Sequence, residues 1–159
     1  WEHKVLDELA EHEWVAMSGS DIAPGTDNGR DSWSDIVLPD RVLAKMRELN
    51  PHVPVEYLDQ ARAQIITPRS QDAITENFRL HRYLVEGYRG ISYIDSDGIE
   101  QNPTLRLISH RPEENEFLAV QQVTIRTTDK HRRFDVVLYL NGMPVAIFWH
   151  DHHRELHAD

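Results

Sequence analysis

The chain opens on a helical repeat. In EHKVLDELAEHEW, from residue 2 to residue 14, Val5, Leu6, Leu9 and Ala10 fall on one face and the acids on the other, which is the period of an amphipathic helix. The period lapses in SGSDIAPGTDNGRDSWSD, where Gly, Ser, Asp, Asn and Pro crowd together and predict a loop. Three more helices are predicted beyond it. LPDRVLAKMRELNP carries Pro39 in its first turn and is closed by Asn50-Pro51. VPVEYLDQARAQIITP is opened by Pro54 and closed by Pro68, and SQDAITENFRLHRYLVEG takes Ser70 as its N-cap and Gly87 as its stop.

After Gly87 the pattern shortens. GISYID, TLRLISH, EFLAVQQVTIRT, FDVVLYL and MPVAIFW are brief and rich in β-branched and aromatic residues, with DSDG, RPEEN, TDKHRR and NG between them, so they predict strands. Asn141-Gly142 predicts a tight hairpin, because both residues tolerate the positive φ of a type I′ turn. Helices come first and a mixed or antiparallel sheet follows, with the first helix free to pack back onto it. That predicts an α/β or α+β arrangement forming one domain over residues 1–159.

Charge narrows the function. The chain has 17 Lys and Arg against 27 Asp and Glu, a net charge of −10. Affinity for DNA comes largely from cations that release counterions, so the balance argues against a free-standing, high-affinity nucleic-acid binder. A local patch, or delivery to DNA by a partner, remains compatible. The chain has no cysteine, which excludes disulfides, thiol catalysis and zinc-thiolate sites and fits the cytoplasm. No run of 18 apolar residues predicts a membrane span, and WEHKVLDELAEHEW is no signal peptide. Starting without methionine and stopping at RELHAD, the sequence reads as a fragment of something longer.

The candidate chemistry centres on Asp135, which heads the apolar run Val136 to Leu140. A carboxylate beside such a run must be solvated, paired or bound to a metal. Read alone, Asp135 is an edge acid facing water and Glu2 a solvated acid on a helix. An acid, a hairpin and then acid-x-lysine on the next strand is, however, the nuclease arrangement written PD…(D/E)xK. Its two acids hold Mg²⁺, and its lysine positions or activates the attacking water. A second cluster, His150, Asp151, His152, His153 and His157, includes two imidazoles four residues apart that could hold Zn²⁺ or Ni²⁺ on a helix. At a chain end this predicts adventitious metal uptake. His81 and His110 read as packed or surface residues.

Several motifs in order resemble the N-terminal nuclease domain of the R (restriction and motor) subunit of type I restriction-modification enzymes. RDSWSDIVLPDRVLAKMRELNPHVP resembles the family's helical stretch ending in Leu-Asn-Pro. NFRLHRYLVEG resembles its Asn-x-x-x-His-x-x-Leu-x-x-Gly helix, and ENEFLAVQQVTI its Glu-Asn-Glu-Phe strand. HRRFDVVLYLNGMPVAI is similar to its nuclease hairpin, normally Arg-Arg-Pro-Asp followed by Val-Asn-Gly-x-Pro. The resemblance implies an α/β fold of the restriction-endonuclease type, a central mixed sheet flanked by helices. It implies Asp135 as the metal-binding aspartate, Glu2 as the helix glutamate completing the metal site, and Gln122 as a neighbour of the site.

It also implies Mg²⁺-dependent hydrolysis of phosphodiesters in double-stranded DNA. The parent chain would hold an ATP-driven, helicase-like motor and assemble with methyltransferase (M) and specificity (S) subunits. No Gly-x-x-x-x-Gly-Lys-Ser/Thr occurs in the 159 residues, so ATP belongs to that motor region.

The pattern then departs from the family. The second acid and the lysine belong 14 and 16 positions after the aspartate, at Trp149 and Asp151. Trp149 cannot ligate magnesium, and Asp151 has the wrong sign for the lysine. Phe134 also replaces the usual proline. Three explanations are open: a nuclease decayed within a persisting fold, a second ligand moved to Asp151, or a terminal segment that differs from the natural gene. A non-catalytic docking domain of the same complex is the alternative function.

Overall fold

A computed structural model describes residues 1–149. Among the described residues the helices are α1 (Glu2–Glu11), α2 (Pro39–Leu49), α3 (Val55–Ile66) and α4 (Ala73–Glu86). The strands are β1 (Val15–Ser18), β2 (Tyr93–Ile94), β3 (Glu100–Gln101), β4 (Phe117–Arg126), β5 (His131–Leu140) and β6 (Met143–Phe148), with 3-10 turns at Gly19–Ile22 and Pro112–Glu114. The main sheet runs β1-β4-β5-β6. β1 lies parallel to β4, while β4-β5 and β5-β6 are antiparallel. The expected α/β architecture, a mixed sheet with helices around it, is the one observed.

The first strand carries no sequence signal. α1 ends at Glu11, Glu13 turns the chain with a φ of 70°, and VAMS then pairs with Leu118 to Gln121. Four residues without alternation do not announce a strand, and what makes one is the free edge of β4 formed a hundred residues later. TLRLISH shows the reverse. It forms no ladder; a single bridge joins Leu105 to Tyr88. The Arg106 backbone is met by a side chain instead, since Asn50 accepts from its amide at 2.8 Å and donates to its carbonyl at 2.9 Å. GISYID contributes only Tyr93 and Ile94 to a two-residue pairing with β3. Ser70 is not the cap of α4. Asp72 is, its carboxylate accepting from the Thr75 amide at 2.9 Å, while the Ser70 hydroxyl accepts from the Asp72 amide.

Both faces of the sheet are covered. On one, Leu6 of α1 buries against Ala119, Val136 and Leu138. On the other, Ile22 and Leu38 cover Leu118, Val120, Val123, Val137 and Tyr139. A third cluster joins α2 and α3 to Tyr88, Leu105 and Leu107, with Met143 linking it to the sheet. The predicted hairpin is present, with φ of 52° at Asn141 and 85° at Gly142. Its turn abuts the start of α2: the Leu38 amide donates to the Gly142 carbonyl at 3.0 Å, and a Cβ on Gly142 would lie 2.7 Å from the Leu38 carbonyl oxygen. Among the described residues no helix is long and apolar enough to cross a membrane.

Candidate active site

The site grows from a break in alternation. β4 and β5 pair from Phe117 and Leu140 to Gln121 and Val136, and again from Val123 and Phe134 to Arg126 and His131. Gln122 and Asp135 stand between the two runs, and Gln122 has a φ of 56°. A left-handed residue inside a strand is uncommon, and here it turns the strand over. Leu118 and Val120 face the Ile22–Leu38 layer, and so do Val123 and Ile125 on the far side of the break. On β5, Val137 and Tyr139 face that layer, and so does Phe134. The neighbours of Phe134, Arg133 and Asp135, are therefore directed to the α1 side of the sheet.

At that break Gln122 meets Glu2. The Gln122 amide donates to the Glu2 carboxylate at 2.9 Å, tying the first turn of α1 to β4 at the level of Asp135. Asp135 is 8% exposed and Glu2 half-buried. The turn after β1 seals the break from the other edge: a Cβ on Gly19 would meet the Gln122 carbonyl oxygen at 2.1 Å, so this backbone approach admits glycine alone. Sequence reasoning placed Gln122 near the site without a role, and it missed Gly19. A signal for the inversion was present in Gln121-Gln122, two consecutive polar residues that interrupt the apolar positions of the strand.

Position 149 completes nothing. The β5-β6 register ends with Val136 opposite Phe148, and Trp149 follows, 52% exposed, with the Arg132 guanidinium 5.3 Å from its ring centre. Asp151 and the histidines at 150, 152, 153 and 157 lie outside the described residues. His81 and His110 are exposed. Among the described residues no three His, Cys, Asp or Glu side chains gather as a metal site. Two carboxylates are nonetheless a donor set that suits Mg²⁺, which is commonly held by one or two carboxylates together with water and phosphate oxygens. Gln122 is the kind of outer partner that fixes a ligand's orientation.

Comparison with known proteins identifies the family of the chain. The family described as type I restriction enzyme R protein N terminus matches residues 1–148. A protein of Methanocaldococcus jannaschii, provisionally named the endonuclease subunit of the type I restriction enzyme MjaIXP, is 23% identical over 151 residues. The match covers 92% of this chain and 14% of that protein. No solved structure matches. The residues that converge on the β4-β5 break thus sit in a chain that belongs to the family of type I restriction enzyme R protein N termini.

Proposed function

We propose that this domain is the nuclease unit of a type I restriction R subunit, retaining the metal-holding end of its site and lacking the groups that complete hydrolysis. Asp135 and Glu2 would hold Mg²⁺, whose chemistry is to polarise a DNA phosphate and lower the pKa of a bound water. Gln122 keeps the Glu2 carboxylate turned toward Asp135's end of the sheet. The observation that supports this reading is the hydrogen bond from Gln122, which stands opposite Asp135 in the β4-β5 register, to the Glu2 carboxylate. Trp149, covered by Arg132, stands where the second acid belongs. In the parent enzyme the domain would act with an ATP-driven motor on double-stranded DNA, beside the M and S subunits.

Calorimetric titration with Mn²⁺ and a plasmid-nicking assay test it together. The chain should bind Mn²⁺, lose that binding in Asp135→Ala, and nick DNA at background rate. Trp149→Glu combined with Asp151→Lys should raise nicking at least tenfold, and adding Asp135→Ala should abolish the gain. Mn²⁺ binding indifferent to Asp135→Ala would sink the reading.

One observation favours a docking role as the second reading. Ile74, Phe78 and Val85 lie on one face of α4 and are 80%, 67% and 55% exposed, an apolar stripe of the kind partners cover. A docking domain would tolerate Asp135→Ala in the assembled enzyme and fail to assemble with Ile74→Ser and Phe78→Ser.

A further inference from the structure

The turn between β4 and β5 concentrates positive charge in an acidic chain. Arg126, Lys130, Arg132 and Arg133 fall within eight residues, from 126 to 133, against one acid, Asp129, in a chain of net charge −10. All four cations are exposed. The ion pairs between described residues involve other cations. Two of the four instead cover exposed rings: the Arg126 guanidinium is 4.5 Å from the centre of Trp33, and that of Arg132 is 5.3 Å from Trp149. Trp33 is 39% exposed and Trp149 52%.

Placement gives the cluster its meaning. The same inversion that turns Asp135 to the α1 side turns Arg133 there as well. Arg126 and His131 end the ladder at the tip of the turn, where the Arg126 guanidinium leans onto Trp33 of the 23–38 loop. Exposed cations therefore run from Arg133, next to the site, out to Arg126 and Lys130 at the tip of the turn. We propose that the β4-β5 turn is the surface by which this domain grips the phosphate backbone of duplex DNA, with Arg126 and Arg133 leading one strand toward Asp135. The net charge of the chain repels DNA, so attraction has to be local, and charge complementarity singles out this turn. The proposal rests on the nuclease-unit reading for its partner, and its location is independent of metal binding.

Fluorescence anisotropy of a labelled 30-base-pair duplex, titrated with the 159-residue chain in EDTA at several salt concentrations, tests it. Arg126→Gln with Arg133→Gln should weaken binding tenfold or more. It should also reduce the slope of log affinity against log salt by about two, near one for each phosphate that is no longer neutralised. The charge-keeping pair Arg126→Lys and Arg133→Lys should stay within about threefold of the parent, which separates missing charge from failed folding. Arg82→Gln with Arg111→Gln removes equal charge elsewhere and should change nothing. Equal weakening by both neutral pairs, no binding by the parent chain, or tighter binding of an RNA duplex than of the DNA duplex would each overturn the proposal. If the Mn²⁺ titration fails while the arginine effects hold, the metal reading falls and the DNA surface stands.

Discussion

Gln122 and Gly19 form the smallest unit that decides the site. A strand built of alternating residues would turn Asp135 and Val136 to opposite faces, and with Val136 fixed against Leu6 the carboxylate would point into the Ile22–Leu38 layer. The left-handed Gln122 averts that and leaves both residues on the α1 side. Its conformation persists because the surroundings hold it: the amide is anchored on Glu2 and the backbone is pressed by the Gly19 turn. Gly19→Ala places a methyl 2.1 Å from a backbone oxygen that no rotamer change can move. It should cost about 2–3 kcal/mol, as overpacking against backbone does. The thermal midpoint should drop by roughly 5–10 °C for a domain of this size, with Mn²⁺ affinity falling alongside. A melting curve unchanged from the parent would remove the close approach from the account.

At the scale of elements, the β5-β6 hairpin acts as a hub. Asn141 is 2% exposed, and both ends of its side chain are used. Its carbonyl oxygen accepts from the Glu116 amide at 2.7 Å, and its nitrogen donates to the Leu107 carbonyl at 2.9 Å and to Asn115 at 3.0 Å. One turn residue thus ties β4, the 104–110 segment and the 112–115 turn to the hairpin. Asn141→Ala removes hydrogen bonds to Glu116, Asn115 and the buried Leu107 carbonyl and puts alanine in a left-handed conformation, so a loss of about 3 kcal/mol is expected. Asn141→Gly should keep the turn geometry and lose the hydrogen bonds. The two variants, compared by urea unfolding, should rank parent above glycine above alanine. Alanine ranking equal to glycine would show that φ contributes nothing there.

The whole molecule is a stack whose layers are joined by few polar clasps, and Tyr139 is one of them. It is fully buried, and its hydroxyl donates to the Ile36 carbonyl at 2.8 Å, holding the 23–38 loop over the sheet. Arg30 clasps the same loop from the other side, donating to the Thr124 carbonyl at 2.7 Å and the Asp35 carbonyl at 3.2 Å. Burial raises the Tyr139 pKa well above the ordinary tyrosine value, and the nearby Arg30 charge offsets part of that rise. A group whose folded pKa is raised contributes its full stability below the unfolded value, about 10, and loses it as pH climbs toward the folded value. The urea midpoint should therefore hold to about pH 10 and then fall, less steeply in Tyr139→Phe. Tyr88, raised in the same direction by burial, leaves a residual slope. At pH 7 the phenylalanine variant should lose about 1 kcal/mol for the missing hydrogen bond. An identical alkaline fall in both proteins would acquit Tyr139.

What the sequence determined by itself was whatever depends on neighbours in the chain. The period of apolar residues set α1 to α4 within a few positions, since a helix satisfies its own backbone, and Asn141-Gly142 set the hairpin through the φ those residues tolerate. The order of the motifs set the family. Tertiary structure decided the rest. VAMS is a strand because β4 offers an open edge, TLRLISH is none because Asn50 answers its backbone, and Asp72 displaces Ser70 as a cap by two residues. Glu2 and Asp135, 133 residues apart, share a side of the sheet because Gln122 inverts two strands. Alternation is a local rule, but which residue breaks it depends on packing from α1 and the Gly19 turn, contacts that exist only once the chain has folded.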